Sequence, residues 1–292
     1  MRWRDARRSD NVEDRRGTSM RRGVQVGGAG GLGILVLALI AMLLGVDPRD
    51  ILQQQGPMVD SPYVSVPPGQ GTDVPAPGGD ELRDFVSAVL AYTEDTWQDI
   101  FRRAGESYDP PKLVLFSGAV QSACGFAEAA MGPFYCPLDA KVYLDLSFFE
   151  ELSTRFRAPG DFAQAYVIAH EVGHHVQNLL GVSRKVQELR SRLSPAEGNQ
   201  LSVRLELQAD CFAGVWANRT HQARQILDNA DVEEGLTAVS ALGDDRIQRQ
   251  SQGYVVPDSF THGSATQRVR WFRQGLSQGN PEHCDTFQVD QP

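Results

Sequence analysis

Two of the six histidines stand four positions apart around a glutamate, in Ala169-His170-Glu171-Val172-Gly173-His174. On a helix, positions i and i+4 share a face, so both imidazoles are presented to one point. That geometry suits two of the ligands of a tetrahedral zinc. Glu171 falls one step round the helix, near the metal without being a ligand. From there it can take a proton from a zinc-activated water and deliver it to a leaving amine. The preceding Tyr166-Val167-Ile168-Ala169 is apolar, so the helix is expected to be buried. Two histidines and a glutamate in a buried setting need partners, and a metal supplies them.

A catalytic zinc needs a third protein ligand and an open position. The segment Glu206-Leu207-Gln208-Ala209-Asp210 again places two acids at i and i+4. Glu206 is expected to complete the set, with one zinc per chain. Asp210 is expected to accept the free ring N–H of a ligand histidine and fix its tautomer. Leu205, Leu207, Ala209, Phe212, Ala213, Val215 and Trp216 crowd this stretch and leave little room for a solvated acidic face. His175 points about 100° away from His174 on a helix. His221 and His283 have no spaced partners, and all three read as structural or surface residues. Cys211 lies one step off the ligand face.

These residues need helices to position them. Apolar periodicity predicts helices over Glu81–Ala104, Ser147–Phe156, Asp161–Leu180, Arg184–Leu193, Gly198–Arg219, Val232–Gln250 and Ser264–Leu276. Asp161 is placed to cap the motif helix and Gly181 to end it. Lys112–Phe116 and Lys141–Asp145 read as strands, separated by Gly and Pro turns. The expected fold class is α+β, mainly helical, with a small sheet near the start of the domain.

Charge and hydropathy divide the chain. Residues 1–46 hold eight arginines against four acids, while the remainder holds 20 basic against 33 acidic residues. An acidic body excludes nucleic acid as a partner, since phosphates must be neutralised by Lys and Arg. Residues 1–22 read as a basic, disordered cytoplasmic tail. Val24–Val46 carries no charge and would rise about 34 Å as a helix, enough for one transmembrane span; the alternative is a cleaved signal peptide, against which no small-x-small cleavage site closes the run. Arginines before the span put the N-terminus in the cytoplasm. The body is then extracytoplasmic, anchored to the inner membrane by residues 24–46. Residues 47–79 hold seven of the 16 prolines and read as a linker, with the domain over 80–292. In an oxidising compartment the four cysteines are expected to pair, preferably Cys124–Cys136 and Cys211–Cys284.

His-Glu-Val-Gly-His-His-Val-Gln at 170–177 and Glu-Leu-Gln-Ala-Asp-Cys-Phe-Ala-Gly-Val-Trp at 206–216 resemble the bacterial family of putative neutral zinc metallopeptidases. Asn11-Val12-Glu13-Asp14-Arg15-Arg16-Gly17, Gly132-Pro133-Phe134-Tyr135-Cys136-Pro137 and Ser259-Phe260-Thr261-His262-Gly263-Ser264 extend the resemblance over nearly the whole chain. It implies a zincin-like, gluzincin-type protease with His, His and Glu on zinc and a single N-terminal span. Thr261-His262 followed by Arg268 is similar to an element of membrane gluzincins in which a His outside the metal shell steadies the oxyanion. Here Gly263 stands where those enzymes have Pro. By analogy with zincins, Lys141–Asp145 would be the edge strand that pairs with an extended substrate.

The sequence therefore points to a membrane-anchored zinc peptidase acting on peptide or protein substrates, with Glu171 as general base and His262 assisting. Two rivals differ in class. One is a binding module whose zinc only secures the fold, closed by Cys211 or His175 as fourth ligand. The other is a zinc amidohydrolase acting on a non-peptide envelope substrate.

Overall fold

The computed structural model describes residues 1–17 and 79–292. The fold is α+β and mainly helical, with two small sheets. A four-stranded sheet has the order β1-β2-β6-β5, where β1 is Val12–Asp14, β2 Lys112–Phe116, β5 Phe134–Cys136 and β6 Lys141–Asp145. β1, β2 and β6 run parallel, and β5 is antiparallel to β6. β3 (Ala119–Ser122) and β4 (Gly125–Glu128) form a separate hairpin. The helices are α1 (Gly79–Arg103), α2 (Ser147–Thr154), α3 (Asp161–Leu179), α4 (Val182–Arg190), α5 (Pro195–Arg224), α6 (Asn229–Ala241), α7 (Asp244–Gln252) and α8 (Ala265–Gln278).

α3, the motif helix, lies in the middle and packs on α1, α5 and α6. Its expected span agrees with the structure, but Gly160 takes the cap position and Asp161 sits in the first turn. Gly181, in the left-handed region with φ 73°, stops the helix. Close approach of α3 to α5 depends on Gly173, where a Cβ would come 3.0 Å from the Ala209 carbonyl oxygen. Shape at this crossing lets the two histidines meet the acids of α5.

The helix expected over Val232–Gln250 is two helices. Gly243 separates them with extended backbone, φ -71° and ψ 138°, and a Cβ there would lie 2.4 Å from the Ala265 nitrogen. The break redirects the chain so that Asp244 opens α7 against the loop before α8, where its N–H donates to the Gly263 carbonyl at 2.9 Å.

Three expectations need correction. The predicted transmembrane helix is not found: among the described residues no helix is long and apolar enough to cross a membrane, and residues 24–46 lie outside them. So does the predicted linker, apart from its last residue.

Nor is the N-terminus a tail. β1 pairs with β2 in the register Val12–Leu113 to Asp14–Leu115, and Trp3 is buried edge-on against Phe85. The arginines are absorbed by the acidic body, Arg4 on Glu81 and Arg7 on Glu94, each at 2.7 Å. The Met1 ammonium contacts Asp161 and, at 2.7 Å, Asp231. Residues 1–17 are therefore part of the folded domain.

The third correction concerns the edge strand. β6 lies between β2 and β5, so the free edge on that side is β5.

Candidate metal centre

His170 and His174 project from one face of α3, with ring centroids 4.8 Å apart. Glu206 faces them from α5, its Oε2 3.1 Å from His170 Nε2 and its Oε1 3.4 Å from His174 Nε2. One ligand atom from each of the three lies within 4.8 Å of the others.

The second nitrogen of each ring is already engaged. His170 Nδ1 is 2.9 Å from Asp210 Oδ1, a carboxylate that only accepts, so Nδ1 carries the proton. His174 Nδ1 is 2.9 Å from Gln177 Oε1. The amide orientation is set by Gln177 Nε2, which donates to the Leu205 carbonyl at 2.6 Å and to Gln208 Oε1 at 3.2 Å. Gln177 Oε1 is therefore an acceptor, and His174 Nδ1 is the donor.

With both Nδ1 atoms protonated, neutral imidazoles turn two Nε2 lone pairs and a carboxylate toward one point. Such a set repels itself unless a cation or protons occupy it. Burial alone would lower the basicity of His170, but Asp210 and Glu206 lift it to about 10. His174 is raised too, burial being outweighed by Glu206. Two nitrogens and an oxygen in this arrangement fit a three-residue catalytic zinc site.

Behind His170 lies a buried ionic network. Arg268 Nε and Nη2 donate to Asp210 at 2.8 and 3.0 Å, and Tyr166 Oη donates to Asp210 Oδ1 at 2.5 Å. Despite full burial, the neighbouring Arg268 and His170 hold the Asp210 carboxyl at about 2. Asp210→Ala would strand the Arg268 charge and release the His170 ring. The expected cost is about 3–5 kcal/mol of stability and roughly 10–100-fold in zinc affinity, read by thermal melting and chelator competition. An unchanged melting temperature would mean that the network is not structural.

The site opens into a cavity of ≈ 730 Å³ whose wall includes His170, Glu171, His174, Glu206, His262 and Arg268. Glu171 is buried beside the three ligand atoms but is not one of them. His262 reaches the wall from the loop before α8, held by an acid absent from the sequence reading. Asp244 Oδ2 accepts the backbone N–H of Thr261, His262 and Gly263 at 2.8, 2.7 and 3.1 Å. Asp244 Oδ1 is 3.2 Å from His262 Nδ1.

His175 stands apart from the cavity. Its Nε2 donates to the Asp109 carbonyl at 2.7 Å, and its Nδ1 accepts from Tyr135 Oη at 3.0 Å. Cys211 is bonded to Cys284 and Cys124 to Cys136, the preferred pairing. The first bridge pins α5, the second ties the β3–β4 turn to β5. Gln177 and Asp244 were missed. Gln177 left a trace as the i+3 neighbour of His174, whereas Asp244 left none, because its partners lie about 18 residues away, beyond the far end of α7.

The family described as Putative neutral zinc metallopeptidase matches residues 1–287. The uncharacterized protein YpfJ of Escherichia coli (strain K12) is 49% identical over 295 residues, spanning 98% of this chain and 99% of the relative. The uncharacterized protein Rv2575 of Mycobacterium tuberculosis is 43% identical over 258 residues, 85% of each chain. No solved structure gives a significant match.

Proposed function

We propose, on the premise that the chain belongs to the family of putative neutral zinc metallopeptidases, that it hydrolyses peptide bonds at a zinc ion held by His170, His174 and Glu206. The observation that carries this reading is the convergence of those three ligand atoms beside a buried, non-ligating Glu171 in an open cavity. Zinc bound there would polarise the scissile carbonyl and acidify a water.

The chain's own residues do the rest. Glu171 accepts the proton of the attacking water and passes it to the leaving amine. Asp210 and Gln177 keep both imidazoles in the tautomer that turns Nε2 toward the metal. His262, oriented by Asp244, donates a hydrogen bond to the developing oxyanion. β5 forms the free edge of its sheet, and Phe134 and Tyr135 on it line the cavity. An extended substrate backbone can pair there without sequence preference. The closed-site rival lacks its fourth ligand, since Cys211 is in a disulfide and His175 is turned to Asp109 and Tyr135. Two disulfides support maturation in an oxidising compartment outside the cytoplasm, with residues 1–17 carried along.

Zinc-loaded protein should cleave quenched peptides, lose that activity to a chelator and regain it with zinc. Absence of cleavage across a broad peptide library would contradict the proposal.

His262 supplies a pH test. Its hydrogen bond to Asp244 raises its pKa above the ordinary histidine value, so the imidazolium donor persists to higher pH than it would in an ordinary histidine. Activity that needs this donor is lost as pH rises through that raised pKa. In Asp244→Asn the basic limb of kcat/KM should move to lower pH, with kcat lower by about tenfold. A basic limb that stays in place would remove Asp244 from this role.

A further inference from the structure

A second hollow of ≈ 340 Å³ adjoins the metal cavity and shares Arg155 and Phe156 with it. Its remaining wall is Arg157, Ala241, Arg246 and Gln250, so three arginines line one concave surface. Arg155 is paired, 3.3 Å from Glu151. Among the described residues, neither Arg157 nor Arg246 has an ion pair.

Arg157 also occupies a backbone position that disfavours it. The turn after α2 gives it φ 54°, the left-handed region where glycine is the ordinary choice. The turn is built by its neighbours, with Phe156 N–H donating to the Glu151 carbonyl at 3.0 Å and Ala158 N–H to the Leu152 carbonyl at 2.9 Å. Guanidinium forks recognise carboxylates by paired, charge-assisted hydrogen bonds.

We infer that Arg157 and Arg246 form a carboxylate subsite at the end of the cleft, which takes an acidic group of the peptide bound at the metal centre. The inference rests on the peptidase reading above and narrows its substrate class. The carboxylate has two sources, an acidic side chain or the C-terminus of the peptide.

The test uses the full chain carrying Glu171→Gln, so that binding is read independently of cleavage. Four labelled peptides of one sequence differ only in Glu or Gln at a single position and in a free or amidated C-terminus. Fluorescence anisotropy should show one carboxylate-bearing form binding about tenfold tighter than its neutral counterpart. The preference should fall with added salt and shrink to within about twofold when Arg157→Gly and Arg246→Gln are added.

Arg157→Gly suits the left-handed turn, so melting should hold or improve and unfolding cannot explain the loss. Arg249→Ala, on α7 outside the hollow, should leave the preference intact. Which of the four peptides gains identifies the source. Equal binding of charged and neutral peptides, or a preference that survives both substitutions, overturns the subsite. If native protein cleaves nothing in a broad peptide library while the arginine-dependent preference stands, the peptidase reading fails and the subsite does not.

Discussion

Glu171→Gln is expected to lower turnover by about a thousandfold or more while leaving one zinc per chain. A positioned general base contributes roughly 10²–10⁴-fold, and here the same group would serve both the attacking water and the leaving amine. The substitution preserves shape at a position only 8% exposed, so it opens no cavity in α3. It also leaves untouched the three ligand atoms and the Asp210 and Gln177 contacts that orient them. Assay of peptide cleavage together with metal analysis of the same sample separates the two roles. Loss of zinc in this variant would make Glu171 a ligand, and retained turnover would remove it from the mechanism.

Deletion of residues 1–17 is expected to be nearly as damaging, though through stability. The segment contributes a parallel strand to the sheet, the buried Trp3 and several ion pairs to α1. Removing it uncovers β2, whose residues Leu113 to Phe116 are all buried in the intact fold. The tryptophan alone accounts for about 4–6 kcal/mol at roughly 25 cal/mol per Å² over 150–250 Å², an upper estimate. That is a large fraction of the stability of an ordinary domain. A chain lacking residues 1–17 should therefore melt far below the full chain or without cooperativity, and Trp3→Ala should fall between. Coincident melting curves by circular dichroism would show that β1 is an accessory.

The legibility of this protein follows the range of its interactions. His170, His174, Glu206 and Asp210 could be read because each pair repeats at i, i+4 on one helix, a spacing that survives in the sequence. Their meeting across α3 and α5 was inferred from chemistry, and the structure brings all four together. β1 was not legible. It is three residues long, its partner lies about a hundred residues away, and its arginine-rich surroundings have the composition of a solvated tail. Arg4, Arg7 and Arg8 are matched to acids on α1 that no local pattern connects to them.

The break at Gly243 was hidden for a related reason. Periodicity continues through it, and only the nearby backbone of Ala265 forbids a side chain there. β5 was absorbed into a turn because Pro133 and Pro137 flank its three residues, and so the neighbouring β6 took the part of the edge.

The central claim is that His170, His174 and Glu206 hold one catalytic zinc, and metal stoichiometry of the full chain tests it most directly. Native protein should carry one zinc after exhaustive dialysis, while Glu206→Ala should lose it or bind it far more weakly with the fold intact by circular dichroism. A folded native chain that takes up no zinc would contradict the account, as would a Glu206→Ala variant that retains it with unchanged affinity.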